Sequence, residues 1–203
     1  MAEIKHFAYL QTIEALSQFF MPPKKPWQTL SSRTVYKNKW IRVREDQVIR
    51  PNGQRGTYGV VESSPSIWII ALTTKKEIYL VRQYRYPTKV WSWEIPSGGS
   101  DGQPLLAAAK RELWEETGLK AKYWTSIGKF QSANGISNQW CYVFIAKGLK
   151  QTNSHKQKDE GITGLAVIPF TDALKMIKQK KITDGLSVAA LMKAALHLKL
   201  IND

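Results

Sequence analysis

The sequence is poor in three things, and each shortage excludes something. Cys141 is the one cysteine among 203 residues, so no intramolecular disulfide can staple the fold. It sits in the apolar run WCYVFIA and reads as a small, inert, buried hydrophobe, consistent with a reducing, cytoplasmic setting. No apolar run approaches the roughly 20 residues that a membrane-spanning helix requires. The opening segment MAEIKHFAYLQTIEALSQFF carries Glu3 and Glu14 and lacks a basic start followed by a clean apolar block, which argues against a signal peptide. Acid is the third shortage: 16 acidic residues stand against 30 basic ones, for a net charge of +14. Such a field attracts anions, whether nucleotides, phosphates, nucleic acid or an anionic membrane surface, and its sign does not choose among them. Much of the excess is lysine in polar stretches, at Lys24 and Lys25, from Lys147 to Lys158 and from Lys175 to Lys181, where it serves solubility.

What is present suits one soluble core of ordinary domain size, with 43% hydrophobic and 23% charged residues. Residues 3–20 place Ile4, Phe7, Ile13, Leu16 and Phe20 at roughly helical spacing. Pro22–Pro26 then breaks that helix as a short stiff linker. Strand-like patterning begins at Ser32, and WIRVREDQVI over Trp40–Ile49 loosely alternates. Pro51-Asn52-Gly53 signals a hairpin turn before a return strand at Thr57–Glu62, giving a two-stranded ribbon. Strands follow at Ile67–Leu72 and Glu77–Arg85, then WSWEIP, WTSIGKF and WCYVFIA, and a last strand at Leu165–Phe170. Lys147–Gly161 reads as a long polar loop of the kind that often carries function. Thr171 is the expected cap of a helix at Asp172–Gln179, and Asp184 or Ser187 that of a helix ending near Lys199. Strands on both sides of an embedded helix predict a three-layer α/β/α sandwich with a mixed sheet. The chain accordingly divides into residues 1–26, a helix and linker; 27–62, a β-ribbon; and 63–203, the main domain.

The chain is organised around SGGSDGQPLLAAAKRELWEETGL, Ser97 to Leu119. Pro104 suits the first turn of a helix and Gly118 its left-handed stop. Glu112, Glu115 and Glu116 fall within about 100° of one another on one helical face, while Leu106, Leu113 and Trp114 are turned for packing on a sheet. Arg111 can pair with Glu115 one turn on. A crowd of carboxylates is ordinarily a solvated face. Here Gly98 and Gly99 lie just upstream, where backbone carbonyls can join the carboxylates as hard oxygen ligands for Mg²⁺, with Mn²⁺ as the alternative.

Arg111–Leu119, RELWEETGL, resembles the second half of the Nudix box, GX5EX7REUXEEXGU with U aliphatic, and matches every fixed position of REUXEEXGU. The first half departs from it: Gln103 stands where the box has Glu, and Gly98 to Gln103 is one residue short. LVRQYRYP, WEIPSGG, SANGISNQ and DEGI at Asp159–Ile162 are similar to the ADP-ribose and nucleotide-sugar pyrophosphatase branch of that family. The resemblance implies a Nudix-type sandwich preceded by a β-ribbon that helps form a homodimer. It also implies cleavage of a nucleoside diphosphate sugar to a nucleoside monophosphate and a sugar phosphate. Glu112, Glu116 and Glu115 would hold metal with the Ser97 carbonyl. Arg85 would contact a phosphate, and Arg82 is the other candidate, since strand alternation does not decide between them. Glu160 would be the catalytic base, with Glu115 as a second catalytic carboxylate. Trp40 and Tyr58 would clamp the nucleotide base, one ring from each subunit; simple packing is the competing reading, as it is for Trp91 and Trp93. Hydrolysis at RNA 5′ ends or of dinucleotide polyphosphates is the enzymatic alternative. A nucleotide- or RNA-binding regulator is the non-enzymatic one, which Gln103 and the +14 charge favour and the intact Glu112, Glu115 and Glu116 oppose.

Overall fold

The computed structural model describes residues 26–152 and 155–201; the expected leading helix and most of the linker lie outside them. The chain falls into two compact units, Met1–Tyr36 with Val43–Val60, and Lys37–Arg42 with Val61–Asp203.

The first unit carries most of a sheet with strand order β1 (Gln28–Lys37), β2 (Ile41–Ile49), β3 (Arg55–Ser63). The expected two-stranded ribbon therefore has a third strand, which begins four residues before Ser32. Every residue of β1 is exposed, so no buried face imposed an alternation on QTLSSRTVYK that could have marked it. The hairpin turn is where the sequence puts it. Gly53 adopts φ +79 and donates to the Arg50 carbonyl at 2.8 Å.

The second unit holds β4 (Ser66–Ala71), β5 (Glu77–Arg85), β6 (Val90–Glu94), β7 (Ser97–Gly99), α1 (Leu105–Thr117), β8 (Leu119–Gln131), β9 (Trp140–Gln151), β10 (Ile162–Pro169), α2 (Phe170–Lys178) and α3 (Gly185–His197). One sheet runs β7-β4-β9-β8 and the other β10-β5-β6. β4 and β9 are parallel, with Trp68 opposite Val143, and the other pairs in these two sheets are antiparallel. β4 is buried along its whole length because it separates two cores. Ile67, Ile69 and Ala71 pack with Ala108, Ala109 and Leu113 of α1. Trp68, Ile70 and Leu72 pack on the other side with Ile78, Leu80, Phe170 and Leu191. Successive strand side chains point to opposite faces, so residues 67–71, IWIIA, must be apolar throughout. Helix α1 thus covers one face of the four-stranded sheet, and the second sheet with α2 and α3 covers the other, which is the expected α/β/α layering.

Two local expectations are corrected and one open choice is decided. The stretch from Lys147 is strand as far as Gln151, pairing Leu149 with Ala121 and Gln151 with Leu119; ladder hydrogen bonds need no apolar side chains, so composition hid it. Helix α2 starts at Phe170 behind Pro169 and has no side-chain cap, Thr171 being inside it. For helix α3 the choice between Asp184 and Ser187 falls to Asp184: the Ser187 amide donates to the Asp184 carboxylate at 2.7 Å.

Candidate active site

The site forms where β7 meets α1. Helix α1 follows Pro104 and ends at Gly118, whose φ of +73 is the left-handed stop and whose amide donates to the Trp114 carbonyl. Leu113 is fully buried against the sheet and Leu105 packs beside it; the expected Leu106 is exposed instead. This packing draws the acidic face onto β7. A Cβ on Gly98 would lie 2.1 Å from the Glu112 carboxyl carbon, so only glycine permits that approach. The Ser97 amide donates to Glu116 Oε2 at 2.9 Å.

The acidic face is therefore not a solvated one. Glu112, Glu115 and Glu116 are only 5–6% exposed. Glu112 and Glu116, four residues apart, face a cavity of 820 Å³. Glu115 lies on the helix's other flank, about 100° from Glu116, and does not line it. There it accepts from Arg111 Nη1 at 2.9 Å and from Lys156 Nζ at 3.0 Å. Among the described residues no cluster of three or more His, Cys, Asp or Glu converges as a ligand set; the facing carboxylates are a pair.

Arg111 holds this arrangement. Its Nη2 donates to the Gly99 carbonyl at 2.8 Å and to Asp101 Oδ2 at 3.0 Å, and pairs with Glu112 Oε1 at 2.8 Å. Its Nε donates to Gln103 Oε1 at 3.2 Å. Gln103 thus keeps a hydrogen bond to Arg111 without a charge. The carboxylate comes instead from Asp101, which sits in a turn with φ +49 followed by Gly102 at φ +77.

Burial pushes Glu112 up to about 7, against Arg111, and with help from Glu115 and Glu160. Burial likewise pushes Glu116 up to about 8, the Ser97 amide opposing and Glu112 adding to it. For Glu115, burial is outweighed by Lys156 and Arg111, and it stays below the ordinary carboxylate range. Two buried carboxylates that resist ionising unless a cation joins them, with backbone close by, fit a hard divalent ion.

Strand parity separates the two arginines. Arg85 lines the cavity; its Nε donates to Glu94 Oε1 at 2.9 Å and its Nη2 to Glu94 Oε2. Arg82 points the other way, exposed, over the Trp91 ring at 5.2 Å. Of the other residues singled out in the sequence, Trp40, Ser97 and Glu160 line the cavity. Tyr58 belongs to the first unit, its ring edge-on to Trp27 at 5.2 Å. Trp93 packs against the core, and Trp91 is exposed. The loop bearing Glu160 is tied to α1: the Lys156 amide donates to the Glu115 carbonyl at 3.0 Å, and the Glu160 amide to the Lys156 carbonyl at 3.0 Å. Sequence reasoning missed Glu94, a fully buried carboxylate behind Arg85, and it read Asp184, another cavity residue, only as a cap. For Glu94 a signal existed, since an acid inside WSWEIP demands a buried cation.

Two outcomes follow from this electrostatics. Glu112 and Glu116 bind protons more tightly folded than unfolded, where the ordinary value is 4.5. The stability they contribute is full below that value and is lost as pH rises through 7 and 8. In chelator, the melting temperature should therefore fall from pH 5 to 9 more steeply for the wild type than for Glu112→Gln/Glu116→Gln. Mg²⁺ should stabilise the wild type more at pH 8 than at pH 6, and parallel profiles would contradict the assignment. Second, Asp101→Asn should cost about 0.5–1 kcal/mol in urea denaturation, and Gln103→Glu in that background should restore it. Additive effects in the double-mutant cycle would show that the two side chains do not share Arg111.

Comparison with known proteins agrees with this geometry. Residues 27–61 match the family profile of the nucleoside diphosphate sugar hydrolase N-terminal domain, and residues 63–188 that of the NUDIX domain. The chain is 29% identical over 165 residues to the methanol dehydrogenase activator of Bacillus methanolicus, covering 80% of this chain and 89% of that one. It is 30% identical over 169 residues to the ADP-ribose pyrophosphatase of Mycobacterium tuberculosis (strain ATCC 25618 / H37Rv), covering 82% of each. A crystal structure of an ADP compounds hydrolase superposes with a TM-score of 0.76 at 20% identity, over 88% of this chain and 97% of that one, and so shares the fold. The profile match over residues 63–188, which carry all of the site's carboxylates, leaves one assignment: this chain belongs to the NUDIX family.

Proposed function

We propose that the protein is a divalent-metal-dependent pyrophosphohydrolase that cleaves ADP-ribose or a related nucleoside diphosphate sugar to a nucleoside monophosphate and a sugar phosphate. The observation that carries this is the buried pair Glu112 and Glu116 facing one cavity with Arg85, Glu160 and Trp40. The ADP-ribose pyrophosphatase relative supports the choice of substrate.

Glu112 and Glu116, with the Ser97 backbone, would hold Mg²⁺ or Mn²⁺, which when bound neutralises diphosphate charge and polarises phosphorus. Arg85, its guanidinium fixed by the buried Glu94 carboxylate, presents its remaining donors to a phosphate oxygen. Trp40, 67% exposed on the cavity wall, offers a ring for the nucleotide base to stack on. Glu160 takes the proton of the attacking water as the oxygen–phosphorus bond forms, and the bridging oxygen leaves with the other phosphate. Glu115, bound to Arg111 and Lys156, anchors the Glu160 loop rather than facing the substrate. The buried thiol of Cys141 suits a cytoplasmic enzyme, and no helix among the described residues is long and apolar enough to cross a membrane.

Nucleoside monophosphate release from ADP-ribose in Mg²⁺ tests the reaction, and no release from any nucleotide sugar would overturn it. Glu160→Gln should lower kcat by about 10²–10⁴, the range for losing a general base, with little change in KM. An unchanged kcat would place the base elsewhere.

The ribbon sheet supports a homodimer. Leu30 and Tyr36, on one face of β1, are 46% and 54% exposed, an apolar surface that a two-fold partner would cover. Light scattering at micromolar concentration should give about twice the 23.1 kDa chain mass; the chain mass alone would exclude the dimer.

A further inference from the structure

A second chamber opens beside the first. The two meet at Arg85 and Asp184, which line both. The second has a volume of 530 Å³, within the roughly 300–1,000 Å³ of small-molecule clefts. Its polar wall is Thr88, Ser92, Thr183 and Asp184, and its apolar wall includes Pro87 and Val90. These come from the β5–β6 connection, from β6 itself and from the segment leading into α3, outside the box.

The charges of this chamber are arranged differently from those of the first. Glu94 also lines it, but both its oxygens are taken by Arg85. It therefore offers no free negative charge. Asp184 uses its carboxylate to accept from the Ser187 amide at 2.7 Å, and among the described residues no lysine or arginine forms an ion pair with it. Its charge adds to the field that holds the Arg85 guanidinium protonated. With Glu94 engaged by Arg85 and Asp184 by the Ser187 amide, the chamber offers a cation no pair of free carboxylates. It presents hydroxyls, an unpaired carboxylate and a patch of apolar surface. That is the complement of a neutral polyol, whose hydroxyls donate and whose C–H faces pack, and it is hostile to a second anionic group.

We propose that this chamber receives the sugar half of the substrate and selects an uncharged, hydroxylated group there. Asp184 accepts from sugar hydroxyls and turns away a sugar that carries a phosphate of its own. The inference rests on the pyrophosphohydrolase reading of the first cavity and adds to it a polarity along the substrate. The diphosphate lies at Arg85, the nucleoside towards Trp40, and the sugar beyond Arg85 beside Asp184.

Asp184→Asn is a clean probe, because Asn caps a helix as well as Asp does while losing the charge. Steady-state kinetics would use full-length protein in saturating Mg²⁺. The substrates are ADP-ribose and an analogue phosphorylated on the terminal ribose. The wild type should prefer ADP-ribose by about tenfold or more, as expected for a hydrogen bond to a charged group. Asp184→Asn should lower kcat/KM for ADP-ribose, raise it for the analogue, and shrink the preference about tenfold. A second variant, Val90→Trp, fills the chamber from a position already 48% exposed. It should impair ADP-ribose more than the β-methyl ester of ADP, which has no sugar to seat. An unchanged preference in Asp184→Asn, or equal impairment of both substrates by Val90→Trp, would overturn the inference while leaving the reaction intact. If the wild type hydrolyses neither nucleotide sugar nor ester, the reading of the reaction itself fails.

Discussion

Arg111 is the interaction on which the rest depends. Three carboxylates within two turns of one helix, all nearly excluded from solvent, would each carry a desolvation penalty and repel the others. The guanidinium answers this from one point, pairing with Glu112, Glu115 and Asp101 and donating to the Gly99 carbonyl. Its planar fork of donors makes such branching possible; a lysine ammonium would reach fewer of these partners in fixed directions. Removing it would leave Glu112 buried with no counter-ion and Glu115 with Lys156 alone, a strongly destabilising situation. The same group thereby fixes the β7–α1 loop to the helix, so the geometry of the site and the stability of the unit share one side chain.

The second constraint is β4. Because it is buried on both faces, its register with β7 and β9 leaves almost no freedom to slip: a shift of one residue would exchange the two cores. Ser97 is held opposite Trp68 and Gly98 opposite Ile67. The backbone that meets Glu112 and Glu116 is consequently part of a sheet and not of a mobile loop. The glycine at 98 completes this, since the Glu112 carboxylate occupies the space a side chain there would need. A rigid strand and a well-packed helix meeting with no room between them is the kind of scaffold on which a charge-stabilising site is preorganised.

Much of this was legible in the chain. Helical angle alone brought Glu112, Glu115 and Glu116 to one face, and Pro104 and Gly118 bounded the helix. What angle could not say is that the face is narrow enough to divide, Glu116 to the cavity and Glu115 to Arg111 and Lys156; that depends on which neighbours supply cations, and Lys156 is 41 residues away in sequence. Arg82 and Arg85 were indistinguishable because LVRQYR alternates only weakly, and the deciding partner, Glu94, lies on the next strand. Strands β1 and the end of β9 escaped notice for one reason: backbone pairing stabilises them while their side chains stay in water. Asp184 is visible as a cap and invisible as a cavity residue, since its second role arises only when α3 packs on the sheet that holds β4, β9 and β8.

The charge balance then takes on a spatial meaning. A protein of net charge +14 has gathered Asp101, Glu112, Glu116, Glu160 and Asp184 around a single cavity, against Arg85 and Arg111. The five carboxylates are close to a third of the 16 acidic residues. Locally the cavity is acidic, and globally the molecule is basic. The long-range field draws an anion towards the surface, and on the proposed reading the cavity would refuse it at close range until cations joined Glu112 and Glu116. An anionic substrate would then gain entry as its metal complex, whose charge suits the cavity, more readily than as the bare anion. A binding protein for a free anion would have lined the same cavity with lysine, of which this sequence has no shortage. That the lysines lie elsewhere while the carboxylates converge is the physical argument for a catalytic rather than a merely anion-binding role.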